Sequence, residues 1–585
     1  MSTELPPFLG ITSSLTGRRW VGPSIEEQRQ AEALVQHSGL PHALCAVLAQ
    51  RGIDASEIDS FLAPTLRDLL PDPRKLRDME KAAQRVQTAL ERNETIAIFA
   101  DYDVDGAASA ALLLTWLRAL GRNATLYIPD RIDEGYGPNE PAMRALAETH
   151  DLIICVDCGM LAHAPIAAAV GADVVVLDHH LGEETLPAAF AIVNPNRQDE
   201  DSGLEHLCAA GVVFLLLVEA NRIRRESGAP CPDLMAMLDL VALATVADVA
   251  PLIGVNRAFV RQGLTVMARR QRIGLRALAD VAGLDQPPNS YHLGFLLGPR
   301  VNAGGRIGAS DLGARLLATD SEHEAAALAE RLDRLNTERR EIENAVRTEA
   351  MEQATARGLD RPLVWAAGDG WHPGVVGIVA ARLKEATNRP AIVIGLDATE
   401  GKGSGRSVSG IDLGAVIQKT AREGLLLKGG GHKMAAGLTV APDALEAAMA
   451  RIEELLAKQG AGELGPADLK VTGTLMPSAV NVALIEQLEN AGPFGAGAPA
   501  PRFAIPDCQI GFAKRVGENH LKISFGDGMG RRIDSIAFGA METALGQTLL
   551  AHNGARFHLA GRFEVNSWQG RQSPQLRLED AAPAH

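Results

Sequence analysis

The chain has 585 residues and a formal net charge of -15 at pH 7, with 46% hydrophobic but only 4% aromatic residues. That length exceeds what one hydrophobic core organises and predicts about three or four domains; the acidic balance excludes a surface that binds polyanions everywhere, though not a narrow basic track. No apolar run reaches the ~18 residues of a membrane span, and residues 1–14 have no basic stretch followed by an apolar one, so neither an anchor nor a secretory leader is expected and a cytoplasmic location is.

Residues 1–75 read as a helical segment ending in Pro71-Asp72-Pro73. From 76 to 319, continuous apolar runs at 95–100, 124–128, 152–156, 174–177 and 191–193 alternate with helical stretches. Unbroken hydrophobicity marks strands buried on both faces, as in a parallel sheet covered by helices. Residues 320–357 contain no glycine or proline, and Leu328, Leu332, Leu335, Ile342 and Val346 keep a helical stripe. One connecting helix of about 57 Å is expected, with a stripe too short for a coiled coil. Residues 358–456 return to mixed α/β with dense glycine, and 466–580 read as short strands suited to a small barrel of the OB type.

The six cysteines are scattered and form no disulfide framework. Cys155 and Cys158 make a lone CxxC, better read as two small apolar residues at a strand end than as a zinc or redox pair.

The chemistry concentrates in Asp101-Tyr102-Asp103-Val104-Asp105-Gly106, which follows the first strand. Three alternate aspartates repel one another unless a cation sits among them. A calcium-binding EF-hand loop opens in the same way, but its twelfth position must be a bidentate glutamate and here it is Leu112; a strand, not a helix, also precedes it. The alternative is strand, acidic turn, then helix from about residue 107, at the carboxyl edge where open α/β sheets place their sites. The run 152–156 ends in Asp157, the run 174–177 in Asp178-His179-His180, and the run 241–247 in Asp248. Each residue alone would be read as a turn or cap; together they gather carboxylates and imidazoles at one edge. Such ligands without thiolate suit Mn²⁺ or Mg²⁺, and their number suits two ions, a device for phosphoryl transfer to water.

Asp178-His179-His180 with DYDVDG upstream resembles the DHH phosphoesterase superfamily. The resemblance extends through RIDEGYGPN (131–139), TVADVAPL (245–252), GPRVNAGGRIGA (298–309), GWHPGVVGIVAARL (370–383), GSGRS (403–407) and GGGHKMAAGL (429–438) to the RecJ branch. GPFGAGAPAPRF (492–503) resembles the start of that branch's OB domain. The resemblance implies a parallel-sheet DHH domain (76–319), a long connecting helix (320–357), a smaller α/β DHH-associated domain (358–456) and an OB barrel (466–580). It implies that Asp101, Asp103, Asp105, Asp157, His179, His180 and Asp248 form the catalytic two-metal centre, with Asp157 bridging and Asp178 orienting a histidine. Arg131, Ser404 and Arg406 would take the terminal phosphate, Arg300, Asn302 and Arg306 the strand near the cut, and His432 with its glycines would line the same track. The implied activity is 5′–3′ hydrolysis of single-stranded DNA in recombination and repair, by a monomer working with a helicase and a single-strand-binding protein and not with a membrane. The helix would hold two domains across a groove fit for one strand, and Lys514, Arg515, Lys522, Arg531 or Arg532 would extend the track. The weighed alternatives are a DHH phosphodiesterase acting on short oligoribonucleotides or cyclic dinucleotides, and a catalytically inactive replication or repair scaffold.

Overall fold

The computed structural model describes residues 5–130, 134–463, 465 and 467–584, without the side chain of Trp568. Two compact units emerge: one of residues 59–338 and 492–500, the other of residues 1–58, 339–491 and 501–585. No described helix is long and apolar enough to cross a membrane.

After a short strand β1 (Trp20–Val21), the first unit is built on β2 (Ile96–Ala100), β3 (Thr125–Tyr127), β4 (Leu152–Val156), β5 (Asp173–Leu177) and β6 (Ala191–Val193). They pair in parallel in the order β3-β2-β4-β5-β6. Every residue of β2 and β4 is buried, which is why these runs show no polar alternation. The chain leaves β2 first to one side and then returns to the other, so the strand order reverses between β2 and β4. Their carboxyl ends flank the crevice where such sheets bind ligands.

Two local expectations are corrected. The helix after the acidic turn starts at Val104 and not at about residue 107: β2 stops at Ala100, Asp103 caps the helix and Asp105 lies in its first turn, Val104–Ala119. The run before Asp248 is also no strand; it is the end of the helix Leu238–Ala247. That helix stops in a Schellman arrangement, with Val249 N–H donating to Val246 O and Ala250 N–H to Thr245 O. The position that glycine normally takes is held by Val249 at φ 60°, so the sequence lacked the usual stop signal. A β-branched residue in this region stores about 1–3 kcal/mol of strain, here one residue after a candidate ligand.

The connecting helix runs Glu322–Arg357. In the second unit, β7 (Val364–Asp369), β8 (Ala391–Leu396), β9 (Gly401–Arg406), β10 (Lys428–His432) and β11 (Ala435–Val440) form a mixed sheet in the order β10-β11-β9-β8-β7. The short β12 (Leu469–Lys470) and β13 (Gly473–Thr474) lead into β14 (Phe503–Val516), β15 (His520–Gly526), β16 (Arg532–Ala537), β17 (Arg556–Trp568) and β18 (Arg571–Pro583). These last five close into a barrel through the β14–β17 pairing.

The N-terminal segment is more than a helical preface, since β1 pairs with β12. Its Ser14 hydroxyl and Trp20 indole N–H both donate to the buried Asp580 carboxylate of β18, at 2.7 and 2.9 Å. The glycine-rich 492–500, expected to open the barrel domain, packs instead with the first unit: Leu252 N–H donates to Ala496 O and Arg257 Nη2 to Gly492 O.

Candidate metal centre and substrate face

Asp101, Asp103, Asp105, Asp157, His179, His180 and Asp248 are brought to one place. Three overlapping sets of donor atoms each lie within 4.8 Å of one another: Asp157, His179 and His180; Asp105, His179 and Asp248; Asp101, Asp103 and Asp157.

Each side chain is fixed by its own local device. Asp103 Oδ1 accepts the N–H of Asp105 and of Gly106, capping the helix that begins at Val104. Gly106 is required there because a Cβ would lie 2.3 Å from Asp101 O. The Asp105 carboxylate, fully buried, accepts N–H groups of Ala209 and Ala210 at 2.6 and 2.8 Å, the positive end of the helix Ala209–Glu226. Asp157 follows β4 at φ 60°, a conformation aspartate tolerates, and its buried Oδ1 has no hydrogen-bond partner. His179 Nε2 stands 3.2 Å from that oxygen and 3.7 Å from Asp105 Oδ2, while its Nδ1 is 3.9 Å from Asp248 Oδ2.

Asp178 faces the other way. Its Oδ1 accepts the N–H of His179 and of His180, and its Oδ2 accepts from Met160 N. The same Oδ1 lies 2.7 Å from His180 Nδ1. Burial would raise Asp178, but the hydrogen bond and charge of His180 outweigh it and hold the carboxyl down at about 2. An ionised Asp178 can only accept, so Nδ1 of His180 carries a proton, and Nε2, 3.2 Å from the Tyr136 hydroxyl, is the nitrogen that a metal would take in exchange for its own proton. Asn194 and Asn196 complete the loop, their side-chain N–H groups donating to His180 O and His179 O. Sequence reasoning missed both asparagines, although Asn194-Pro195-Asn196 after an apolar run is a turn signal.

The electrostatics demand a cation. Burial, then repulsion among the neighbouring aspartates, pushes Asp157 far above the carboxylate range and raises Asp248 to about 9. Asp105 rises for the same reason, opposed by His179. Burial opposes the His180 imidazolium, yet Asp178 and Asp248 bring it up to about 9. Carboxylates forced together, a buried oxygen without a hydrogen bond and an all O/N donor set fit hard divalent ions such as Mn²⁺ or Mg²⁺. Cys155 and Cys158 are buried free thiols held by packing.

The other candidates divide. Arg131 lies outside the described residues. Arg300 Nε donates to Asp333 Oδ1 at 2.8 Å and its Nη1 to Leu296 O at 2.7 Å. Asn302 Oδ1 accepts Val104 N–H at 3.0 Å and so steadies the acidic turn. Arg306 ends the helix Gly298–Ile307, next to Gly305, which packs against the Tyr102 ring.

In the other unit, register puts Ser404 and Arg406 of β9 on one face with Gly430 and His432 of β10, through Gly437 and Ala435 of β11. Arg406 Nη1 donates to Ser404 Oγ at 3.2 Å. The helix Pro373–Thr387 approaches this pair at Gly377, whose added Cβ would meet Ser404 Oγ at 3.0 Å and Arg406 Nη2 at 3.1 Å. On the barrel, cross-strand register aligns Lys514, Lys522, Ile536, Arg577 and Arg562 in one row over five strands. Phe512 and Phe538 are exposed beside it, with Lys514 over the first ring and Arg577 over the second, whereas Phe525 and Phe557 are core. Of the basic residues expected there, Arg515 and Arg531 donate to backbone carbonyls of Glu518 and Ser478. Arg562 and Arg577 were not anticipated, because only pairing shows which side of β17 and β18 meets the lysines.

Comparison with known proteins agrees with this architecture. Residues 95–245 match the DHH family, N-terminal domain, residues 360–458 the DHHA1 domain and residues 471–580 the RecJ OB domain. The chain is 34% identical to the single-stranded-DNA-specific exonuclease RecJ of Bacillus subtilis over 95% of this chain and 70% of that protein. It is 36% identical to RecJ of Escherichia coli over 93% and 96%. The crystal structure of RecJ from Thermus thermophilus in complex with Mn²⁺ superposes with a TM-score of 0.78 at 30% identity, covering 96% of this chain and 79% of that one. Parallel-sheet DHH domain, DHHA1 domain and OB barrel thus follow in order, and the chain belongs to the RecJ family of single-stranded-DNA-specific exonucleases.

Proposed function

We propose that this protein is a metal-dependent exodeoxyribonuclease that removes nucleotides from the 5′ end of single-stranded DNA in recombination and repair. The observation that carries the reading is the cluster of five aspartates and two histidines, buried at Asp101, Asp105 and Asp157 and arranged as three overlapping donor sets. Asp101, Asp103, Asp105, Asp157, His179, His180 and Asp248 would hold two Mn²⁺ or Mg²⁺ ions. Such ions supply Lewis acidity toward the phosphoryl oxygens and a water acidified to near neutrality.

The chain's own residues do the rest. Asp178 keeps a proton on His180 Nδ1 and so presents Nε2; the N-terminus of the helix Ala209–Glu226 holds the Asp105 carboxylate in one orientation; Asn302 pins the turn between Asp103 and Asp105. Arg131, Ser404 and Arg406 are proposed to take the 5′ phosphate, Arg406 through the planar donor fork that suits phosphate. His432 and its glycines would let the backbone of a strand lie close. Arg306 and, after release from Asp333, Arg300 would meet phosphates near the cut. The row Lys514–Lys522–Arg577 with Phe512 and Phe538 supports a single-strand track on the barrel. A substrate that must first be unwound and kept single points to a helicase and a single-strand-binding protein as partners of a monomeric cytoplasmic enzyme.

The test uses a long single strand, its duplex and a dinucleotide, each labelled at the 5′ or 3′ end, with Mn²⁺. Release of labelled mononucleotide from the 5′ end of the single strand alone is expected. Turnover of the dinucleotide equal to or better than that of the long strand would favour a phosphodiesterase for short substrates, and binding without cleavage a scaffold.

A further inference from the structure

The helical segment before Arg300 carries a surface that the metal centre leaves unused. Tyr291 and Phe295 are 55% and 68% exposed, in a chain with 4 tyrosines and 14 phenylalanines. Their rings stack at 5.1 Å between centroids with 24° between planes. The backbone under them, His292–Leu297, is π-helical, a rare winding that concentrates at functional sites.

The segment is pressed against the ligand-bearing helix end. A Cβ on Gly294 would stand 3.3 Å from Val246 Cγ1, and one on Gly298 would stand 3.2 Å from Ala247 Cβ, the residue immediately before Asp248. Further along the same rod, Asn302 receives Val104 N–H and Gly305 meets Tyr102. The rod therefore runs beside the metal centre from Asp248 to Asp103. Phe295 directly follows Gly294, about a quarter turn on in either α or π winding, so its side chain leaves the rod beside the face that packs on Val246 and Ala247. With Arg300 paired to Asp333, the two exposed rings are the apolar surface this end of the rod offers to solvent.

Resting on the exonuclease reading above, we infer that Tyr291 and Phe295 form a stacking platform for one nucleobase of the single strand next to the scissile phosphate. Every base has a π face, so stacking gives grip without sequence preference, as a non-specific exonuclease needs. Continuity with the metal centre favours a base of the substrate over an apolar protein partner.

The test combines Phe295→Ala, Tyr291→Ala and the conservative Phe295→Trp with oligonucleotides carrying a single abasic site stepped along the strand. Phe295→Ala should raise KM roughly 5- to 100-fold on intact DNA, with Phe295→Trp restoring most of it and melting temperatures unchanged, because the ring is exposed. In the wild type, one abasic position should impose a similar penalty, and in Phe295→Ala that same position should cost nothing more. Wild-type kinetics for Phe295→Ala on naked DNA would overturn the platform and point to a protein docking role. Multiplying penalties at every abasic position would also overturn it. A wild type that degrades no single strand would remove the exonuclease reading itself, and the platform with it.

Discussion

The metal centre and the barrel face both manage like charges, and they do so in opposite ways. In the metal centre, Asp105, Asp157 and Asp178 are buried, and repulsion plus burial drives Asp105, Asp157 and Asp248 toward their protonated forms. On the barrel, Lys514 and Arg577 are exposed, Lys522 is half-buried, and Lys522 is already paired with Asp534 at 2.8 Å. Water and salt screen that row, so each charge acts nearly alone. The aspartate cluster, buried or half-buried, is screened much less, so a cation is what completes it and its members act as a unit. Loss of one ligand should therefore cost far more than loss of one lysine.

The comparison breaks most visibly at Asp157. Asp157→Asn should lower turnover of single-stranded DNA by roughly 10³-fold, while raising the melting temperature of the metal-free protein, because one member of the mutually repelling aspartate group is made neutral. An unchanged or lower metal-free melting temperature would mean that the repulsion is relieved in some other way.

Next in size is the pH response of the metal-free protein. Asp248 sits at about 9 when folded, against roughly 3.9 in an unfolded chain. The folded state thus keeps a proton the unfolded state has lost, and the stability this gives is full below about pH 4 and is lost as pH rises toward 9. His180, raised to about 9, has the same sign, fading from about pH 6.5 upward. Asp178, held at about 2, has the opposite sign and costs stability only as pH falls below about 4. Thermal melts in chelator should fall steadily from pH 5 to pH 9, and Mn²⁺ should flatten the fall; a flat profile in chelator would contradict the electrostatics.

Asp178→Asn tests orientation rather than ligation. It should weaken Mn²⁺ binding about 10- to 100-fold in calorimetry, leaving kcat at saturating metal much closer to wild type than Asp157→Asn does. The smallest effect belongs to the barrel. Replacing Lys514 and Lys522 by alanine should reduce the slope of log affinity against log salt by about 0.7 for each lysine that contacts a phosphate, with little change in dinucleotide binding.

Much of the centre was legible because its ligands follow apolar runs whose unbroken hydrophobicity marks parallel strands. Asp101, Asp157 and Asp178 could be placed at one sheet edge by counting alone. Asp248 was assigned to the right place for the wrong reason: its helix ends without glycine, so 241–247 read as another strand. Arg300 and Asn302 sit in a glycine-rich motif that pointed to substrate, but their partners, Asp333 and Val104 N–H, lie 33 and 198 positions away, and no local pattern announces them. The basic row on the barrel depends on register among five strands, which spacing along the chain does not encode. The strand β1 was hidden because two residues carry no periodicity, and its identity comes from β12, more than 400 positions later.

Metal stoichiometry tests the central claim most directly. Mn²⁺ binding to the purified full chain should be followed by calorimetry alongside single-strand hydrolysis, for the wild type and Asp157→Asn. The account predicts two Mn²⁺ per wild-type chain, loss of at least one in Asp157→Asn, and activity that falls with that ion. A wild type that binds no Mn²⁺, or an Asp157→Asn protein that keeps both ions and its activity, would contradict it.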